Sequence, residues 1–302
     1  MKVTKLGFVG LNVVKFDEMR RYYGETMGLG EEFVERNSAY FSCGPDHHAV
    51  SLTAASQPGV AHMGLEIAGD MDLSDVAKRL EERGVKTDLL SDAMPGLASA
   101  LRFCDPDGAM IYVYNTIGQS EAGLARSGIR PQKIGHIAYY VESAARSERF
   151  YTESMGFRWS DWIEDLFVFM RCNKDHHAVN FITAPYRGMF HFAFELKDSN
   201  HLTQAADLLA KQQIPLLWGP GRHGAGHNLF IYHHDPDGNI VEYFAELDIM
   251  VDEAAGYYEP RPYHEDRIQR PKVWNRSALA RNQWGILPAE EFGPRALNQT
   301  KE

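Results

Sequence analysis

The chain contains two copies of one sequence pattern. Three segments of the first half recur in the second half in the same order, at offsets of 128, 129 and 130 residues. The matching segments are residues 21–29 and 149–157, residues 46–50 and 175–179, and residues 105–108 and 235–238. Because the order is kept and the offset changes by only two residues, the 302-residue chain is predicted to be a tandem duplication.

Each half is in turn predicted to contain two smaller units. In every unit a strand-like start precedes a stretch with helical spacing of apolar residues, and short β-rich segments follow. The predicted strand starts are residues 7–13, 62–67, 136–141 and 191–196, and the helical stretches are residues 17–27, 73–83, 144–155 and 200–212. We therefore predict an α+β fold of four βαβββ modules in two domains, residues 1–120 and 132–247. Residues 248–302 match neither repeat and are predicted to form a tail.

Composition excludes several classes of function. The formal charge is −10, with 31 basic against 41 acidic residues, which disfavours binding to nucleic acid or to an anionic membrane surface. We also expect no membrane insertion, because no apolar run approaches the ~18–20 residues of a transmembrane helix. The N-terminus lacks the apolar stretch of a signal peptide, and three scattered cysteines form no disulfide framework, so we expect a cytoplasmic protein.

The two halves differ where a metal could be bound. Overlaying the repeats pairs His136 with Phe8, His191 with His62, and Glu242 with Tyr112. Two imidazoles and one carboxylate are the ligand set of non-haem Fe(II) sites, and zinc accepts the same set. The alternative is that these three are core polar residues that satisfy one another. In the first half no metal site is predicted, with Phe8 and Tyr112 filling the space.

Three further polar residues of the second half are candidates for catalysis. His177 is predicted at a strand edge, His223 lies in a glycine-flanked loop, and Tyr232 precedes Glu242 by ten residues on a strand. His177 has a counterpart, His48, in the half without the metal ligands, which favours a structural role for it. His223 and Tyr232 have no such counterpart, which favours function.

Together these residues resemble the type I extradiol ring-cleavage dioxygenases, which belong to the vicinal oxygen chelate superfamily. The resemblance rests on His136, His191 and His177, the Arg-His-Gly loop at 222–224, and the stretch Tyr-His-His-Asp-Pro-Asp-Gly-Asn-Ile-Val-Glu at 232–242. It covers residues 5–247 in architecture and is most specific over 134–247. It implies cleavage of a catechol next to one of its hydroxyls, using O₂ and Fe(II), or Mn(II) in some members.

The resemblance also implies roles for single residues. His136, His191 and Glu242 would hold the metal, His177 would act as acid and base, Tyr232 would hydrogen-bond a catechol oxygen, and His223 would contact the substrate. Trp218 stands near the position at which members acting on homoprotocatechuate carry an arginine, and Arg281 precedes a Trp-Gly pair in the tail. We therefore expect a single-ring, weakly charged catechol as substrate, with Trp218 and Arg281 in contact with it. The alternative is a carboxylate-bearing catechol, with Arg281 over the mouth of the active site. The tail is predicted to close the active site, and we expect a homo-oligomer.

Three other functions compete with this one. A glyoxalase-type isomerase or lyase needs a metal but no O₂, and has no use for His223 and Tyr232. A keto-acid-dependent dioxygenase shares the three ligands, but its longer C-terminal region has no likeness here. A drug-sequestering protein of the bleomycin-resistance kind is shorter and lacks the three ligands, so metal content would discriminate it.

Overall fold

The computed structural model describes residues 1–123, 127–259 and 269–289. The first half folds into two consecutive modules. Its elements are β1 (Val3–Val13), α1 (Phe16–Arg21), β2 (Gly30–Val34), β3 (Ser38–Ser42), β4 (Val50–Ala54), β5 (Gly59–Ile67), α2 (Leu73–Glu81), β6 (Thr87–Met94), β7 (Leu97–Cys104) and β8 (Met110–Tyr114). All eight strands form one mixed sheet in the order β2-β3-β4-β1-β5-β8-β7-β6.

The second half repeats this arrangement. Its elements are β9 (Lys133–Val141), α3 (Ala144–Met155), β10 (Arg158–Ile163), β11 (Phe167–Arg171), β12 (Val179–Thr183), β13 (Gly188–Glu195), α4 (Ser199–Lys211), β14 (Leu216–Arg222), β15 (Leu229–His234) and β16 (Ile240–Ala245). The predicted α+β fold of four modules is confirmed. The tail adds β17 (Met250–Asp252), β18 (Tyr257–Tyr258), β19 (Lys272–Trp274) and α5 (Ala278–Arg281).

One predicted helix differs from the structure. Residues 17–27 form α1 followed by a π-helical segment, Tyr22–Thr26, whereas the equivalent α3 is a regular α-helix of 12 residues. Helix α3 begins where the Ser143 hydroxyl accepts a hydrogen bond from the Arg146 N–H, and it ends at Gly156 with φ +76°. Among the described residues, no helix is long and apolar enough to span a membrane.

The repeated Asp-Pro-Asp-Gly turns bind the two halves to each other. Asp107, in the first half, accepts a hydrogen bond from the Glu142 N–H at 3.0 Å, just before α3. Reciprocally, Asp237 accepts hydrogen bonds from the N–H groups of Val14 and Lys15, at 2.6 and 3.1 Å, just before α1. Each turn therefore holds the entrance to a helix of the other half, and one continuous buried core contains residues of both sheets.

The tail is attached to the second half. Strand β19 pairs in parallel with β10, which makes the second sheet nine-stranded. The side chain of Asp161, on β10, accepts hydrogen bonds from the Lys272 N–H at 3.0 Å and from the indole of Trp274 at 2.8 Å. Residues 260–268 and 290–302 of the predicted tail lie outside the described residues.

Candidate metal centre and active site

Strand register brings His136, His191 and Glu242 together on one face of the second sheet. On β13, Ala193 stands opposite His136 of β9 on one side and opposite Glu242 of β16 on the other. His191 lies two residues before Ala193 and therefore points to the same face of the sheet. Three strands thus aim three side chains at one point above Ala193.

The three potential ligand atoms meet within hydrogen-bonding distance. The Nε2 atoms of His136 and His191 are 3.1 Å apart, and they lie 3.0 and 3.2 Å from Oε2 of Glu242. All three residues are buried. They are the one group of three or more His, Cys, Asp or Glu side chains in the described part of the chain whose ligand atoms lie this close together. The donor set fits a divalent Fe, Mn or Zn ion.

Electrostatics favour the protonation states that a metal requires. Burial alone would raise the pKa of Glu242, but the two adjacent imidazoles hold it well below its usual value, so the carboxylate is charged. Burial lowers the pKa of His191 to about 4, although Glu242 opposes this effect. A charged carboxylate beside the neutral imidazole of His191 is a state in which these groups bind a metal ion.

In the first half the equivalent positions hold no such group. The register places Phe8 opposite Gly64, and Gly64 opposite Tyr112, which confirms the overlay with His136, Ala193 and Glu242. Phe8 is fully buried and stacks on Tyr114, with ring centroids 5.6 Å apart. The face that carries the candidate metal ligands in the second half is therefore filled by the packed ring of Phe8 in the first.

The two halves also differ in the small residues that lie beneath these side chains. A Cβ atom at Gly10 would overlap the ring of His62, and one at Gly64 would overlap the ring of Phe8, so both rings lie across glycines. The second half has Ala138 and Ala193 at these positions. We call Ala138 and Ala193 the floor alanines. Their methyl groups occupy the space in which the rings would otherwise lie.

On the side away from Glu242, packing holds the imidazoles of His136 and His191. Among the described residues, neither His136 nor His191 has a hydrogen-bond partner at Nδ1. The ring of His136 lies against His177 and Phe244, with centroids 4.3 and 5.2 Å away. The ring of His191 meets Phe190 edge to face at 4.5 Å. The floor alanines therefore contribute to aiming these rings.

Tyr232 and His223 complete one side of the candidate site. The Tyr232 hydroxyl donates to Oε2 of Glu242 at 2.8 Å and lies 3.0 Å from Nε2 of His223. The other oxygen of Glu242 accepts from the side-chain amide of Asn228 at 3.0 Å. Burial and the nearby carboxylate raise the pKa of Tyr232 well above 10, so the hydroxyl stays protonated.

His177 lies on the opposite side, two residues before β12 rather than on a strand edge as predicted. Its Nδ1 is 2.9 Å from Nδ1 of His176, and its ring also lines the cavity in front of the three ligand residues. Burial, helped by the neighbouring imidazoles His136 and His176, lowers the pKa of His177 well below 6.5. The ring is therefore neutral at pH 7 and able to accept a proton.

A cavity of about 360 Å³ opens in front of these residues. Its polar end holds the three ligand residues with His177, His223 and Tyr232. The rest is largely apolar, lined among others by Ile163, Leu166, Phe167, Phe169, Ile182, Phe190 and Trp218. The volume suits one substituted aromatic ring.

The tail covers part of this cavity, which also contains the predicted contacts Trp218 and Arg281. Arg281, with an exposed side chain, and Ala280 line it from the tail. The carbonyl of Arg281 accepts a hydrogen bond from Nδ1 of His223 at 2.6 Å, and the carbonyl of Ile286 accepts one from the Trp218 indole at 2.8 Å. Every residue that we predicted for the site therefore borders one cavity.

Sequence reasoning missed Asn180 and Asn228. Asn180 lines the cavity from β12, and Asn228 holds the carboxylate of Glu242. The overlay of the repeats carried a signal for Asn180, because it is a polar residue between apolar neighbours in its strand and matches Ser51. Nothing comparable marked Asn228, which precedes β15 in a loop.

Known proteins resemble this chain over most of its length. Metapyrocatechase 2 of Cupriavidus necator is 29% identical over 200 residues, which cover 59% of this chain and 62% of that protein. This alignment thus spans less than two thirds of the relative. The manganese-dependent 2,3-dihydroxybiphenyl 1,2-dioxygenase of Geobacillus genomosp. 3 is 23% identical over 298 residues, 90% of this chain and 94% of the relative.

A solved structure and a family profile agree with these relatives. The crystal structure of the Mn(II)-bound glyoxalase from Novosphingobium aromaticivorans superposes with a TM-score of 0.85 at 29% identity, covering 96% of this chain and 94% of that one. The profile of the Glyoxalase/Bleomycin resistance protein/Dioxygenase superfamily matches residues 5–113 and 133–243, one match in each half. The chain belongs to the Glyoxalase/Bleomycin resistance protein/Dioxygenase superfamily.

Proposed function

We propose that this protein is an extradiol dioxygenase, which cleaves a catechol-type ring next to the diol and adds both atoms of O₂ to the product. The observation that carries the proposal is the hydrogen-bonded group of Glu242, Tyr232 and His223 beside the two imidazoles, with His177 across the cavity. Holding a metal requires only three of these residues. The others are groups that can bind the oxygens of a diol and move its protons. The names of the relatives support the same reaction.

His136, His191 and Glu242 would hold Fe(II), with Mn(II) as the alternative. The bound metal supplies a Lewis acid that acidifies the diol, and a site at which diol and O₂ meet. Three protein ligands leave positions open for both. The Mn-dependent dioxygenase and the Mn(II)-bound glyoxalase among the similar proteins are the reason for retaining Mn(II).

His177 would move protons on one side of the substrate. Its Nδ1 is engaged with His176, so Nε2 is the ring nitrogen left for the ligand. A neutral imidazole can accept a proton from a diol hydroxyl at Nε2 and return it to the product later. Its low pKa keeps it in the accepting form at neutral pH.

Tyr232 and His223 would bind the substrate on the other side. The single hydroxyl hydrogen of Tyr232 can be donated to only one acceptor at a time, so a substrate oxygen competes with Glu242 for it. The position of His223 is fixed by its hydrogen bond to the carbonyl of Arg281. The tail therefore helps to orient a residue that faces the substrate.

The cavity favours a single-ring, weakly charged catechol. The flat face of Trp218 stacks parallel to Tyr232, with centroids 5.6 Å apart, and narrows the cavity beside the ligand residues. Arg281 is the tail residue whose charge could meet an acidic substituent at the mouth. Since the remaining wall is largely apolar, an aromatic ring gains affinity by burial.

A glyoxalase-type isomerase is the second candidate, since the Mn(II)-bound glyoxalase superposes so well. Such a reaction consumes no O₂, which separates the two candidates in one experiment. The protein is loaded with Fe(II) without oxygen, and O₂ uptake and absorbance are then followed with a panel of catechols. A yellow ring-fission product with one O₂ consumed per catechol is expected. A fully metal-loaded sample that takes up no O₂ with any catechol refutes the proposal.

Four further predictions go with this function. The domain boundaries are residues 1–120 and 132–247, the tail of residues 248–302 closes the active site, the protein is a homo-oligomer, and it acts in the cytoplasm. The hydrogen bonds from Trp218 and His223 to the tail support its closing role.

Removing residues 250–302 from the folded protein is expected to raise KM. Unchanged KM and kcat would contradict a closing role.

A further inference from the structure

Asn180 is a buried amide in an otherwise apolar part of the cavity wall. It is 1% exposed and lines the cavity from β12, and its Oδ1 has no hydrogen-bond partner among the described residues. Its neighbours in this part of the wall include Phe169 and Ile182. A buried amide oxygen without a partner is unfavourable, so this one needs a partner from the contents of the cavity.

The register shows where that partner would be. Ala138 on β9 stands opposite Asn180 of β12 on one side and opposite His191 of β13 on the other. The three side chains therefore form a row on one face of three neighbouring strands. The Cα atoms of Asn180 and of the candidate metal ligand His191 are roughly 10 Å apart, which is two strand spacings. Ala138 contributes only a methyl group to this row, so within these described strands no long side chain stands between His191 and Asn180.

The first half acts as an internal comparison. Ser51 occupies the position of Asn180, and its hydroxyl lies 3.4 Å from Nε2 of His62, whose ring lies across Gly10. There the polar group of the wall is satisfied by a histidine of the same sheet. In the second half the methyl group of Ala138 occupies the space over which a ring would reach Asn180. Within the described residues, the polar residue at this position of the wall therefore has an unpaired oxygen in the half that contains the candidate metal ligands, whereas its counterpart in the first half is hydrogen-bonded.

A catechol that binds the metal through its two oxygens directs the opposite edge of its ring away from the metal. If the ring extended from the candidate metal ligands over Ala138, that edge would face Asn180 and the side chain of Phe169, which pairs with Asn180 across the strands and also lines the cavity. An amide both donates and accepts hydrogen bonds, so it can pair with an uncharged oxygen substituent. A substituent without polar atoms would leave the amide unpaired.

We infer that Asn180 determines substrate specificity by hydrogen-bonding an uncharged oxygen substituent, such as a hydroxyl, on the ring edge remote from the diol. The inference rests on the proposed function and narrows its substrates to catechols with such a substituent. Asn180 would distinguish two ligands of equal size, because the apolar ligand leaves the amide unpaired and therefore binds with lower affinity.

The test compares 4-(hydroxymethyl)catechol with 4-ethylcatechol. The two are alike in shape, and the first has a terminal hydroxyl where the second has a methyl group. Dissociation constants are measured without oxygen on the Fe(II)-loaded protein, and kcat/KM is measured with O₂. The wild type is expected to prefer the hydroxymethyl compound roughly fivefold, which corresponds to one net hydrogen bond of about 1 kcal/mol. Asn180→Leu is expected to abolish or reverse this preference, with Fe(II) content unchanged.

Two further variants make the result decisive. Ile182→Ala enlarges the same wall without removing a polar group and is expected to change the affinity for both ligands by the same factor. Asn180→Ser introduces the residue found at the equivalent position, Ser51, of the first half. It replaces Asn180→Leu if that variant does not fold, and it is expected to weaken the preference for the hydroxymethyl compound.

If Asn180→Leu changes both affinities equally, or the wild type shows no preference, the inference is overturned. If the wild type binds with this preference but takes up no O₂ with any catechol, the proposed function fails while the binding role of Asn180 is supported.

Discussion

Replacing Ala138 with glycine is expected to weaken metal binding about fivefold without disrupting the fold. The methyl group of Ala138 lies beside the ring of His191, which has no hydrogen-bond partner at Nδ1 among the described residues. In the first half Gly10 allows the equivalent ring, that of His62, to lie across the strand towards Ser51. Without its methyl group, residue 138 would allow His191 to turn in the same way, towards Asn180.

The magnitude follows from the hydrogen bond that the turned ring would gain. A hydrogen bond between His191 and Asn180 is worth about 1 kcal/mol net, which favours the turned position about fivefold if the two positions are otherwise equal. Only the original position can bind metal, so the apparent dissociation constant rises by about the same factor. Glycine within a strand also lowers the free energy of unfolding by about 0.5–1 kcal/mol.

The assay is an anaerobic titration of the metal-free protein with Fe(II) and with Mn(II), alongside thermal unfolding. Gly10→Ala is the matched control, since it makes the reverse exchange in the half without the ligand set. Its added Cβ displaces the ring of His62, so it is expected to lower stability while leaving metal affinity unchanged. If Ala138→Gly binds both metals within twofold of the wild type, the steric explanation for the ring orientation is wrong.

Three further predictions concern single side chains. Glu242→Gln removes the charge that both imidazoles face and is expected to weaken Fe(II) binding about 100-fold, measured by the same titration; an unchanged affinity would exclude Glu242 as a ligand. His177→Asn is expected to leave Fe(II) content intact but to lower kcat about 100-fold in the oxygen-electrode assay, and full activity would remove His177 from the mechanism. Burial raises the pKa of Asp235 from 3.8 to about 7. Between pH 4 and pH 7, the carboxyl group is therefore protonated in the folded state and ionised in the unfolded state. The free energy of unfolding should therefore fall as pH rises from 4 to 7, by up to about 4 kcal/mol. Asp235→Asn should remove most of that slope in urea unfolding, and an equal slope in both proteins would refute the assignment.

The repeat offsets predicted where the candidate metal ligands of the second half stand relative to the residues of the first half. Once residues 105–108 are aligned with residues 235–238, Glu242 must stand where Tyr112 stands, because both follow the same turn by the same number of residues. The register of the two sheets agrees with that alignment. A duplicated chain therefore predicts which residues of the two copies occupy equivalent positions, since each copy forms the same sheet.

The tail and the π-helical segment could not be predicted in this way. Strand β19 pairs with β10 across more than 100 residues, and no repeat in the sequence marks that pairing. Likewise, residues 21–29 and 149–157 are similar in sequence, yet one copy contains a π-helical turn at Tyr22–Thr26 and the other does not. The copies differ within this turn, where Gly24 stands in place of Thr152, and the comparison of the repeats does not predict which copy becomes π-helical.

The sequence by itself determined the duplication, the four modules and the half that contains the candidate metal site, because these depend on residue order and strand alternation. Only the tertiary structure decided how the site is shaped. It placed Ala138 between His191 and Asn180, left the amide of Asn180 free, and brought Arg281 of the tail over the cavity. The physical reason is that these relations depend on which side chains occupy the same space across neighbouring strands, and residues far apart in the chain share that space only after folding.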